Sequence, residues 1–72
     1  MEKQIYFPVP WKEAKRYADM LDSLHIPYRI ESAGGKVPLV EGDLAIVFPN
    51  MSIHLYIKIR VLFFGDGLRY PQ

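Results

Sequence analysis

Two prolines, Pro10 and Pro27, bracket the one stretch whose periodicity admits a single secondary structure, and that stretch dictates what must surround it. Within residues 11–25 apolar side chains fall at Ala14, Tyr17, Ala18, Leu21 and Leu24, while Lys12, Glu13, Lys15, Arg16, Asp19, Asp22 and Ser23 take the other side. This is the stripe of an amphipathic helix with one face on a core. Pro10 has the fixed φ suited to a first helical turn, Lys15 and Asp19 can pair one turn apart, and Pro27 disfavours continuation past Ile26. His25 closes the helix, where an imidazole is favourable beside the last carbonyls. Such a helix needs a second layer to cover its stripe.

Strand-forming segments supply that layer. Residues 3–7 predict a strand with Ile5 and Phe7 on one side, ended by Pro8-Val9-Pro10 because proline donates no ladder hydrogen bond. Residues 28–32 predict the next strand, Ala33-Gly34-Gly35-Lys36 a turn, and residues 37–40 a weak edge strand broken by Pro38. Glu41-Gly42-Asp43 turns into residues 44–48, a nearly continuous apolar run expected of a central strand covered on both faces and closed by Pro49-Asn50.

Residues 53–64 fit two periods. A helical face of Ile53, Tyr56, Ile57, Val61 and Phe64 competes with strict alternation of Ile53, Leu55, Ile57, Ile59, Val61 and Phe63, and the β-branched odd positions favour a strand. At ~3.3 Å per residue that strand would run about 40 Å, so it must bend or overhang with an unpaired edge. Gly65-Asp66-Gly67 ends it, and residues 68–72 are a short tail. The expected fold is α+β and two-layer, one amphipathic helix on a mostly antiparallel sheet of four to five strands in the order β-α-β-(β)-β-β. It forms a single small domain over residues 1–72.

Composition narrows the chemistry. The 72 residues contain no cysteine, which excludes disulfides, thiol nucleophiles and cysteine-ligated metals and fits a reducing, cytoplasmic setting. Met1-Glu2-Lys3-Gln4 carries no basic-then-apolar leader, and residues 53–64 hold His54, Lys58 and Arg60 and fall short of a ~20-residue span, so no membrane partner is expected. Nine Lys and Arg against eight Asp and Glu give a net charge of +1, so any argument from charge must be local. His25 and His54 stand in no metal-ligand spacing, and Ser23, Ser32 and Ser52 in no nucleophile elbow. Gly34-Gly35-Lys36 lacks the glycine frame and following helix of a phosphate loop. No catalytic residue, metal or cofactor is expected.

A chain this small, half apolar, leaves some large apolar side chains outside, and such patches meet partners. On the strand reading His54, Tyr56, Lys58 and Arg60 project from one face, continued by Leu62 and Phe64. Tyrosine and arginine are enriched at interface hot spots, so Tyr56, Lys58, Arg60, Leu62 and Phe64 are the expected contacts for a protein partner, with a homodimer through the free strand edge as one form of it. Trp11 is read as capping the core where helix meets sheet. The alternative is a nucleic-acid surface of His54, Tyr56, Lys58 and Arg60, with bases stacked on the tyrosine and phosphates on the cations.

Gly42-Asp43-Leu44-Ala45-Ile46-Val47-Phe48 followed by Leu55-Tyr56-Ile57-Lys58-Ile59 resembles, over roughly residues 12–60, the PD-(D/E)xK nucleases, including their mismatch-patch-repair and viral replication-repair branches. That family has a helix and then three strands, with an Asp opening the second strand and a Glu-x-Lys on the third around a divalent metal. The resemblance implies such roles for Asp43 and Lys58. Tyr56 stands at the Glu position, and aligning by the apolar string instead puts Ala45 at the Asp position. The family's later helix has no room. The resemblance therefore implies at most a degenerate core. The expected function is a small non-enzymatic module that binds and regulates or inhibits another macromolecule through its C-terminal strand.

Overall fold

A computed structural model describes residues 4–71. The elements are β1 (Ile5–Pro10), α1 (Trp11–Ser23), β2 (Arg29–Ser32), β3 (Asp43–Phe48), α2 (Ile53–Phe63) and β4 (Leu68–Arg69). The sheet has the order β2-β3-β1-β4 with every neighbouring pair antiparallel. This βαββαβ order is that of two interleaved βαβ units, the ferredoxin-like arrangement. Both helices cover the same face. Ile5, Phe7 and Val9 of β1 and Ile46 and Phe48 of β3 form one core with Ala14 and Leu21 of α1 and Ile59 of α2. The expected α+β two-layer class holds, with two helices rather than one.

α1 follows its amphipathic stripe, and Lys15 Nζ reaches Asp19 Oδ2 at 2.8 Å on its outer face. Its end is a Schellman closure. The His25 N–H donates to Asp22 O and the Ile26 N–H to Leu21 O, which requires the left-handed φ of 58° at His25. Leu21 and Ile26, the apolar pair that accompanies this motif, are both buried. Trp11 does not cap the core. It stands 61% exposed at the helix start.

β1 runs through the prolines expected to end it; Lys3, part of that expectation, lies outside the described residues. β4 pairs only with Ile5 and Tyr6, so beyond Tyr6 that edge of β1 is free. Alternate residues turn their N–H to the same edge, so Pro8 and Pro10 can share the free one while β1 pairs with β3 from Ile5↔Phe48 to Pro10↔Asp43. β3 is the central strand expected from its apolar run, with Ala45 to Phe48 wholly buried.

The largest departure is at residues 53–64, where Ile53–Phe63 form helix α2 with Phe64 as its C-cap, not a strand. Eleven helical residues span about 16 Å, whereas a ~40 Å strand would exceed the 32 Å longest dimension of the fold. The ends fit a helix. Ser52 is the N-cap, its Oγ accepting from the Leu55 N–H at 3.3 Å. At the other end Phe64 adopts φ 56° and the Gly65 N–H donates to Arg60 O. Leu55, Tyr56, Ile59, Leu62 and Phe63 then fall on one stripe and meet the core. Packing on the sheet outweighs the β-propensity of the branched residues.

Residues 37–40 form no strand. Val37 is buried on the helix-free face, where it clusters with Tyr6, Ala45, Val47 and Tyr70. The expected tail contains β4, and the Tyr70 N–H extends its pairing by donating to Gln4 O at 2.9 Å. Tyr70 packs edge-on against Tyr6, its hydroxyl donates to Glu31 Oε2 at 2.6 Å, and Arg29 Nε reaches the same oxygen at 3.0 Å. The Tyr70 hydrogen bond, then Arg29, hold the Glu31 carboxyl below its usual value against the opposing effect of desolvation.

Under the helices, Phe63 is stacked between Tyr17 of α1 and Phe7 of β1, at ring separations of 4.6 and 4.4 Å. Gly67, at φ 79°, lies so close to this stack that a Cβ there would sit 2.8 Å from Phe7 Cζ.

Candidate interaction surface on α2

An eleven-residue helix with only one buried residue, Ile59, and apolar residues nearly all round must leave part of its apolar surface uncovered. The inner stripe takes the core contacts. Ile53, Ile57, Val61 and Phe64, spaced one turn apart, fall on the outer side, and Phe64 is 95% exposed. Leu24, at the C-cap of α1, is also exposed and lies beside them.

Ile57 and Val61 form a ridge with a hollow on each side. One, of about 350 Å³, is lined by Leu24, Ile57, Lys58, Val61 and Leu62. The other, of about 340 Å³, is lined by Ile57, Arg60, Val61, Phe64 and Gly65. Each hollow therefore has apolar walls and one cation.

The charges on α2 are all of one sign. Lys58 and Arg60 lie on it and no acidic residue does. Arg60 Nε is 2.6 Å from Asp66 Oδ1, and its guanidinium lies 5.7 Å from the Tyr56 ring centre. Tyr56 also donates its hydroxyl to Asp66 O at 3.2 Å, so this pair fastens the loop after α2 to the helix. Lys58 makes no ion pair among the described residues. Asp22, near the end of α1, lies against Tyr28, whose hydroxyl is pushed up chiefly by burial and then by Asp22.

Alternate residues share a face on a strand but not on a helix, so the expected contact set is divided. Phe64, Lys58 and Arg60 stand on or beside the outer ridge. Tyr56 and Leu62 turn inward and pack against the core. The expected nucleic-acid platform is divided likewise, because the Tyr56 ring that would stack a base is half-buried while His54 and Lys58 are exposed. Ile53, Ile57 and Val61, which a strand puts on the face opposite the expected contacts, are instead the centre of the exposed surface, and the helical period of residues 53–64 is the signal for them. The geometry implied by the nuclease resemblance also fails. It needs a third strand carrying Lys58, whereas Asp43 opens β3 and Lys58 lies on α2.

Among the described residues no cluster of three or more His, Cys, Asp or Glu is arranged to hold a metal ion, and no helix is long and apolar enough to cross a membrane. A hollow of about 590 Å³ beside β2 and the glycine turn includes Glu31, whose carboxylate is already engaged by Tyr70 and Arg29. The ferredoxin-like arrangement assigns no activity by itself. Comparison with protein-family models, with curated proteins and with solved structures finds no match.

Proposed function

We propose that the protein is a small non-enzymatic module that binds and regulates another protein through the outer face of α2. The observation carrying this reading is the unpartnered ridge of Ile53, Ile57, Val61 and Phe64 on a helix whose opposite stripe already fills the core. An apolar row of this kind, set between hollows and edged by cations, has the composition of an interface centre and rim. Each large apolar side chain gains ~1.5–3 kcal/mol on full burial. With these four between half and fully exposed, covering the ridge would contribute roughly 5 kcal/mol. That lies near the lower bound of the association cost, about 4–15 kcal/mol. The ridge alone therefore supports only weak association, and a specific complex draws on the cations as well.

A photo-crosslinking residue placed at Ile57, compared with one at Lys15 on the outer face of α1, tests the reading in cells that express the protein. Discrete protein adducts from position 57 that disappear with Val61→Asp are the expected result. Adducts equal to those from position 15, or adducts removed by nuclease digestion, would refute it.

A further inference from the structure

We infer that the occupant of this face is an amphipathic helix of a partner protein whose apolar stripe is edged by Asp or Glu. The inference rests on the protein-binding reading above and specifies its partner. Shape is the first argument. A central ridge flanked by two hollows of similar size is the relief that a second helix matches, its side-chain rows seated in the hollows and the Ile57–Val61 ridge in its groove. A bilayer surface offers no side-chain rows to fill such hollows.

Charge is the second argument. Lys58 belongs to one hollow and Arg60 to the other, and every charged side chain of α2 is a cation. Arg60 is already paired with Asp66, whereas Lys58 makes no ion pair among the described residues, so a carboxylate on the facing margin of the incoming helix would meet Lys58, and complementary potentials of this kind set specificity and on-rate. A second copy docked through the same face would bring two Lys58 side chains into one interface with no carboxylate of either α2 to pair them, because a two-fold interface uses one patch twice. Asp66 does not supply the missing acid for such a dimer, since it is engaged by Arg60.

The test uses two fluorescent helical peptides of about 18 residues with the same leucine stripe, one edged by Glu and the other by Lys. Each is titrated with the intact protein by anisotropy at roughly 0.05 and 0.5 M salt. The expected result is binding of the Glu peptide at least about tenfold tighter than the Lys peptide at low salt, narrowing at high salt. Lys58→Glu should remove most of that preference and Val61→Asp should abolish binding, with circular dichroism showing both variants folded.

Equal binding of the two peptides, tighter binding of the Lys peptide, or binding of neither would overturn the proposal. So would co-sedimentation with vesicles of phosphatidylglycerol and phosphatidylcholine without peptide binding, which would assign the face to lipid. A dimer in light scattering that Val61→Asp dissociates would assign it to a second copy. Position-57 protein adducts that persist when the Glu peptide fails to bind would leave the protein-binding reading intact and remove only the acidic-helix partner.

Discussion

Replacing Phe64 with glycine should make the protein more stable while weakening its proposed binding. Phe64 holds φ 56° to close α2, a left-handed conformation costing a residue with a Cβ ~1–2 kcal/mol. Its ring is 95% exposed, so almost no burial is lost on removing it. Glycine relieves the backbone cost but returns ~0.5–1 kcal/mol through its freer unfolded chain, leaving a net gain of about 0.5–1 kcal/mol. For a domain of this size that corresponds to a Tm increase of about 2–8 °C. Thermal melts followed by circular dichroism measure it, with Phe64→Ala as the control, because alanine keeps the left-handed penalty and should not gain. A Tm that falls with glycine, or rises equally with alanine, would refute the backbone argument. The same glycine variant should reduce crosslinking from position 57, since it removes the most exposed apolar ring on the surface. Stability and binding moving in opposite directions is the pattern of a residue retained at local cost.

Gly67→Ala should destabilise by about 2–5 kcal/mol in urea unfolding, from the left-handed φ and from overpacking against Phe7, whose ring is held in place by Phe63. Ser52→Ala should cost about 0.5–1 kcal/mol by removing the N-cap of α2, and amide exchange should rise first in that helix. Glu31 has a folded pKa below its unfolded value, so its contribution is fully present above the ordinary carboxylate range near ~4.3 and is lost as pH falls through the folded value. Glu31→Gln should therefore reduce stability at neutral pH and flatten its fall at acid pH, both read from urea midpoints across pH. An unchanged pH profile would show that Tyr70 and Arg29 do not act through this carboxylate.

Most of the fold was legible because each early segment obeyed one period. The stripe of α1 permits a single interpretation, the apolar run of β3 has the length of a strand and is bounded by turn residues, and together they specify helix on sheet. Residues 53–64 permit no single interpretation, since a mostly apolar segment with β-branched odd positions satisfies both periods. The resolving features lay at its ends, in Ser52 and the Phe64-Gly65 pair, and in the aromatic stack that only Phe63 at the end of a helix completes. The surface was half legible for the same reason. Of the residues on the proposed surface, the sequence singles out Lys58, Arg60 and Phe64 by their chemistry, whereas the strand geometry puts Ile53, Ile57 and Val61 on the opposite face. Pro8 and Pro10 argue for a shorter β1 because the sequence does not show that β4 is too short to need their missing N–H groups.

The bond from Tyr70 to Gln4 also has a meaning for how the molecule is made. It joins β1 to the last strand of the sheet, so every intervening residue must leave the ribosome before that edge of β1 can close. Until then the nascent chain can assemble β1, α1, β2 and β3, but Glu31 waits for its tyrosine and the sheet remains open on one side. The segment around Tyr70, rather than the central strand, therefore determines when the Ile5–Tyr6 end of that edge is covered against unwanted strand pairing, while the edge beyond Tyr6 stays open.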